Sequence, residues 1–238
     1  MDRRMMRLAR TARLSLLAMI AMCPLSAHAE TPTGVWFTGG TVSDTLSAYG
    51  GAIVSLPGAR LGKGLALRGS VNGGTYSYDL SAGEVDAKYA GAEAALVYQG
   101  SGPWGWANVS VGPRYTHTSL SPDDPGNKSS GSRWDVGLQT DGAFDGRAWR
   151  LSWVGSIGPI DGAYEARAQL GRKIGAQKYR IGIEGGIMGN PSYSKGIAGA
   201  FAAAAIGRDM ELQVGGGVTI QEGRAAKPYG SVGLSQLF

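Results

Sequence analysis

The chain has 238 residues, with 40 glycines, one cysteine and two histidines. Its formal net charge of +5 sits almost wholly in the first 29 residues. The remainder is near neutral, which argues against a polyanionic partner such as nucleic acid. A single cysteine excludes an intramolecular disulfide and any multi-cysteine metal site.

Residues 1–29 read as a cleaved signal peptide. Arg3, Arg4, Arg7, Arg10 and Arg13 make a basic start, Leu14 to Met22 a short apolar run, and Ala27 to Ala29 a small-x-small cleavage site before Glu30. The run is shorter than the ~20 residues that a bilayer-spanning helix needs. Cys23 raises lipidation, but Met22 is too bulky for the residue before a lipidated cysteine. Arg3 and Arg4 raise twin-arginine export, yet such a pair is common in any basic leader. Without the leader, about 209 residues remain, with 18 basic and 17 acidic side chains. The leader also takes the cysteine and one histidine, so His117 is the only imidazole left and a two-histidine centre is excluded.

From residue 34 onward the chain falls into runs separated by turn residues. The predicted strands are 34–43, 45–57, 64–79, 84–100, 105–120, 131–145, 147–160, 162–174, 178–190, 194–207, 210–221 and 228–238. Alternation is clear in several of them. Trp134, Val136, Leu138 and Phe144 oppose Asp135, Gln139 and Asp141; Tyr164, Ala166, Ala168 and Leu170 oppose Glu165, Arg167 and Gln169; Tyr179, Ile181, Ile183 and Ile187 oppose Arg180 and Glu184. One stretch, 196–207, is alanine-rich enough to suit a helix, but its glycine boundaries favour a strand.

Three observations put the apolar face outside. It is rich in Ala and Gly, too small to fill a closed soluble core at crystal-like density. The polar faces carry both signs: Arg68, Glu93, Arg114, Asp135, Arg150, Glu165, Arg167, Arg180 and Glu184. Such a set can pair across a wet lumen. Aromatics fall near run ends, at Trp36, Tyr98, Trp134, Trp149, Tyr164, Tyr179 and Tyr229, as in the girdles of membrane barrels. The expected fold is an all-β, transmembrane, up-and-down antiparallel barrel of about 12 strands spanning residues 30–238, in the outer membrane and in contact with its lipid.

Loop lengths are expected to alternate, with tight periplasmic turns and longer outer loops. "SLSPDDPGNKSSG" then lies outside, while the turns near 145–147 and 207–209 are tight and periplasmic. In the outer loop, Pro122 and Pro125 stiffen the chain, and Asp123, Asp124 and Asn127 form turns. It reads as a solvated turn; contact with a glycan or partner, or a weak Ca²⁺ site at Asp123 and Asp124, are the functional alternatives, although calcium needs more oxygens than the loop supplies. The chain stops on Phe238, in a strand whose Val232 and Leu234 share one face. This final strand must pair with the first to leave no open edge. A terminal aromatic resembles the signal read by the barrel assembly machinery, with Gln236 a departure from it.

The pieces "LSPDDPGN", "GAYEARAQLGRKI", "IEGGIMGNPSYSKGIAGAF" and "YGSVGLSQLF" resemble, in kind and order, the BcsS family, associated with bacterial cellulose biosynthesis. The resemblance implies a non-catalytic outer-membrane accessory barrel, with cellulose export components or glucan as partners and no cofactor. Two other readings stay open. One is an outer-membrane channel or porin-like conduit; parity turns Tyr76, Tyr78, Tyr89 and Trp106 inward, although Trp149 and Trp153 face lipid. The other is an enzyme resembling lipid A deacylases, using His117 and Ser119, both on the lipid face, as base and nucleophile. No third residue is evident to orient the histidine, so no enzyme is expected.

Overall fold

A computed structural model describes residues 32–238 except 81, 82, 128, 192, 222 and 223. The expected signal peptide lies outside the described residues. Among them are twelve strands: β1 Gly34–Val42, β2 Leu46–Ser55, β3 Gly64–Leu80, β4 Gly83–Gly102, β5 Gly105–Ser121, β6 Gly131–Asp145, β7 Trp149–Gly158, β8 Ala163–Ile174, β9 Tyr179–Asn190, β10 Tyr193–Ile206, β11 Met210–Gln221 and β12 Lys227–Leu237. Predicted and observed boundaries agree to within two residues at every end. The alanine-rich stretch is β10, paired along its length with β9 and β11.

Each strand pairs antiparallel with the next, and β1 closes the ring against β12 through Val35↔Leu237 to Val42↔Gly230. Closure satisfies every edge, which hydrocarbon surroundings demand. At the seam the Phe238 amide donates to the Gly34 carbonyl at 3.0 Å, and the Thr33 and Gly34 amides donate back to the Phe238 carbonyl at 2.7 and 3.0 Å.

The outward face is a band of Leu65, Leu67 and Val71 on β3, Ile181, Ile183 and Ile187 on β9, and Val214, Val218 and Ile220 on β11, all exposed. The inward face carries the charges. Ile183 is 65% exposed, whereas Arg68 is 3% and Glu184 5% exposed. This inverts the pattern of a soluble protein and is that of a membrane barrel. The inside is not uniformly polar, however. Ile53, Ala66 and Val97 are buried there, with Val35 and Phe37 packed against them.

Aromatic rings gather outside towards both ends. Near the termini, Phe144 lies 5.8 Å from Trp104 and 5.0 Å from Trp153, centroid to centroid; near the other end, Tyr115 and Trp134 are 5.2 Å apart. Tyr229, expected in a girdle, is a correction. It lies opposite Gly217 on the inward face and is 6% exposed. Its position near a run end suggested a girdle, but its parity is opposite to that of Val232 and Leu234.

Loop length does not separate the two ends as expected. The end bearing the termini, here called proximal, has the tight reversals 146–148 and 207–209 but also the longer connection 56–63. The distal end has the long loop 122–130, yet its reversals 43–45 and 159–162 are short. Extra chain at the distal end is built into strand instead: β3, β4 and β5 run 17, 20 and 17 residues and rise beyond the shorter β1 and β2.

Candidate functional site

All nine expected interior charges occupy inward positions. They do not pair across the lumen, which corrects the expectation. Partners sit on the same arc of wall, one to three strands apart. Coulomb attraction falls with distance and is screened by water, whereas inward neighbours on adjacent strands lie about 5 Å apart.

Arg68 on β3 reaches Asp141 on β6 and donates to Ser110 on β5 at 3.1 Å; Asn108 donates to the other Asp141 oxygen at 2.9 Å. Arg114 on β5 donates to Glu93 on β4 at 2.7 Å and to Ser156 on β7 at 2.8 Å. Arg150 and Lys173 converge on Asp145, with Lys173 Nζ 2.7 Å away. Arg180 pairs with Glu211 across β10. Glu184 accepts from Arg167 at 2.5 Å, from Gln169 at 2.7 Å and from the Tyr229 hydroxyl at 2.5 Å.

Two of the nine depart from this pattern. Glu165 has no cation within ion-pair distance among the described residues. Asp135 is a turn clamp rather than an ion-pair partner. It accepts the amides of Val136 at 2.6 Å and of Ile160 and Asp161 at 3.1 Å, holding the β7–β8 reversal.

Asp141, read in the sequence on the polar face beside Asp135, is absent from the expected set of interior charges, and Asp145, Lys173, Glu211 and Tyr229 were missed. Parity with Asp135 was the available signal for Asp145. Nothing local marks Tyr229, because its partner lies three strands away.

The distal mouth is built on the tall β3–β4–β5 wall. Tyr76 stacks against Tyr78 at 6.2 Å and tilts against Tyr89 at 6.3 Å. The loop 122–130 folds inward onto them and is not an ordinary solvated turn. Asn127, 6% exposed, donates to the Tyr78 hydroxyl at 2.7 Å, and that hydroxyl donates to Asp124 at 2.7 Å. Inside the loop, Asp124 caps the Gly126 amide at 3.0 Å and Asn127 caps that of Ser129 at 2.8 Å. Pro122, Asp123 and Pro125 stay exposed on its outer side. Among the described residues no three acidic, histidine or cysteine side chains gather as a metal site.

A second arm reaches the same wall from the other side of β1 and β2. Arg224, between β11 and β12, donates to Asp79 at 3.0 Å and to Ser77 at 3.2 Å, and lies 3.5 Å from Glu84. The short β1–β2 hairpin leaves the space that this arm crosses.

Two turn carboxyls at this end titrate in opposite senses. Burial, reinforced by the Asp135 carboxylate, pushes Asp161 up from the ordinary 3.8, against the Ala163 amide that it accepts. For Asp44, burial is outweighed by the Ser43 hydroxyl and by Lys195 and Lys227, and the carboxyl is held below 3.8.

His117 and Ser119 both face outward. The His117 Nδ1 lies 3.0 Å from the hydroxyl of Ser132, which also bonds Tyr115 at 2.9 Å. The imidazole is thus engaged with the neighbouring strand.

Comparison with known proteins gives a family and a fold. The family model described as cellulose biosynthesis protein BcsS matches residues 35–238. No curated protein matches the chain. Among solved structures, an outer membrane channel, COG4313, from Pseudomonas putida F1 is similar, with a TM-score of 0.52 and 15% identity over 90% of this chain and 100% of that one. The transport unit of the autotransporter AIDA-I from Escherichia coli is similar at a TM-score of 0.51 and 10% identity over 95% and 97%. At these identities the likeness is one of fold.

Proposed function

The chain belongs to the cellulose biosynthesis protein BcsS family, and from that premise we propose that it is a non-catalytic outer-membrane barrel that accompanies the synthesis and export of cellulose. The observation that carries this reading is the state of the interior. Five of its arginines, Arg68, Arg114, Arg150, Arg167 and Arg180, are tied to acids of the same wall, and its mouth is held by Asn127 and Asp124 on Tyr78. Such an interior is a rigid scaffold that offers its outer loops and rims to partners. Among the described residues the one histidine, His117, lies on the outward face and bonds Ser132. The distal end faces the medium, the termini the periplasm, and Phe238 offers the assembly machinery its last strand.

Deleting the gene tests the role. Cellulose output falls in the deletion strain and returns with the wild-type chain and with the double variant His117→Ala, Ser119→Ala. Unchanged output on deletion overturns the accessory role. Failure of the double variant alone, despite normal folding, points to the deacylase-like enzyme instead, with acyl release from lipopolysaccharide as its assay.

A conduit is the second reading, and the Tyr76, Tyr78 and Tyr89 cluster at the mouth favours it, since aromatic faces suit sugar rings. Planar-bilayer recording separates the two: a scaffold latched at its mouth gives a closed trace, a conduit an open one.

A further inference from the structure

Charge is divided unequally between the two ends of the barrel. The proximal turns and strand ends expose Arg60, Lys63, Arg147, Arg172, Lys178 and Arg208, against Asp209 alone. None of these six cations has an ion-pair partner among the described residues. The distal end instead carries Asp44, Asp79, Glu84, Asp86, Asp123, Asp124 and Asp161, and of its cations Lys195 pairs with Asp44 and Arg224 with Asp79 and Glu84. Three of the proximal cations cluster where β7, β8 and β9 meet the membrane surface.

Arg172 is the informative member. It lies two residues before the end of β8, directly opposite Trp149 on β7 and Ile181 on β9. Its neighbour Lys173 turns inward to Asp145, so Arg172 points outward, as Trp149 does. At this end it is the only charged residue at an outward strand position among those described. An outward arginine costs several kcal/mol at the bilayer midplane and little at the interface. Its level is marked by Trp149 and Tyr179, both about half exposed on the same wall, as interfacial aromatics are.

Arg147, in the β6–β7 turn, precedes Trp149 by two residues, and Lys178 immediately precedes Tyr179. The Lys173 amide bonds the Ala148 carbonyl at 2.8 Å, which brings the β6–β7 turn alongside the end of β8. Ile174 pairs with Tyr179, which brings the β8–β9 turn to the same place. The result is a patch of three unpaired cations backed by two interfacial aromatics, on the outer perimeter and not over the lumen.

We propose that this patch binds the phosphate of an anionic phospholipid, a glycerophosphate headgroup in the leaflet that surrounds the proximal rim. The perimeter position selects a lipid over an acidic protein. A protein docking from the aqueous side would meet turn tips, not an arginine on the hydrocarbon-facing wall beside a tryptophan. The acyl chains lie along Leu151, Leu170 and Ile181, and the phosphate takes the place of the missing counter-ion of Arg172. Only a bilayer around the barrel is required, so the site stands whether or not the chain serves cellulose export.

The test uses the full barrel refolded into vesicles, either of phosphatidylcholine alone or with one part in five phosphatidylglycerol, and bound lipid counted by native mass spectrometry after gentle detergent release. Wild type retains phosphatidylglycerol over phosphatidylcholine by about tenfold, and the triple variant Arg147→Gln, Arg172→Gln, Lys178→Gln by less than about twofold, a loss of ~1 kcal/mol for the three cations together. Arg172→Lys keeps most of the preference, and Arg60→Gln, Lys63→Gln keeps all of it. Folding of each variant is confirmed by heat-modifiable gel mobility. Equal retention of both lipids by wild type, an undiminished preference in the triple variant, or displacement of the lipid by millimolar inorganic phosphate overturns the site.

Discussion

The hydroxyl of Tyr229 on β12 donates to Glu184 on β9 at 2.5 Å, spanning β10 and β11. Side chains can cross two strands only where the wall is bare. A Cβ at Gly199 would lie 2.5 Å from the Tyr229 oxygen, and one at Gly215 would lie 2.8 Å from the Glu184 carboxylate. Gly137 leaves room in the same way for Glu93 and Arg114.

The crossing predicts an order of effects on stability. Glu184→Ala leaves Arg167 beside an emptied site and is expected to cost about 3 kcal/mol or more. Tyr229→Phe, which removes one hydrogen bond, costs about 1–2 kcal/mol. Gly199→Val forces Tyr229 aside and costs at least as much as Tyr229→Phe. Urea unfolding of the refolded barrel in vesicles measures all three. A Glu184→Ala loss no larger than that of Tyr229→Phe contradicts the arrangement.

Loop 122–130 is held by its contacts with Tyr78, and Asn127 is the buried link. Asn127→Ala is expected to raise the rate of proteolytic cleavage within the loop about tenfold, the equivalent of ~1.4 kcal/mol, while the barrel itself stays intact. Arg224→Gln frees the opposite arm without loosening this loop. Joining the two changes opens the mouth most, which single-channel conductance reads directly.

The acid range separates the two distal carboxyls. The Asp161 pKa is raised in the fold, so this residue favours folding below its unfolded value near 3.8, and that contribution is lost as pH rises through the folded value. Asp161→Asn therefore changes stability little at pH 3 and gains on wild type as pH rises. The Asp44 pKa is lowered, so its contribution is present above 3.8 and lost as pH falls through the folded value. Asp44→Asn is accordingly weaker than wild type at neutral pH and equal to it in strong acid. Unfolding midpoints between pH 2 and 7 show the two opposite trends.

The main chain and the ring of Phe238 can be tested separately. Its main chain makes three seam bonds with Thr33 and Gly34, and its ring covers Gly34. Phe238→Ala keeps the main-chain bonds, so refolding in vitro changes little. In cells, the amount of folded barrel in the outer membrane drops several-fold if the ring is read during assembly. Equal losses in both settings would make the ring purely structural.

Strand boundaries, closure and the sense of the faces were legible in the sequence. Period two is a local property, and a closed sheet of alternating strands has one lipid face and one interior face whatever its details. The inward charges followed from that parity alone, as did the outward His117 and Ser119. Pairing is another matter. Arg68 finds Asp141, and Tyr229 finds Glu184, because barrel curvature and stagger bring residues from non-adjacent strands within reach. Loop 122–130 carries turn residues that suit open water equally well; only the height of β3 and β4 beside it gives Asn127 a tyrosine to bond. The sequence, through local alternation, determined a membrane barrel. The tertiary structure decided which charges meet and that the mouth is latched, since both depend on distances around the ring that no local pattern encodes.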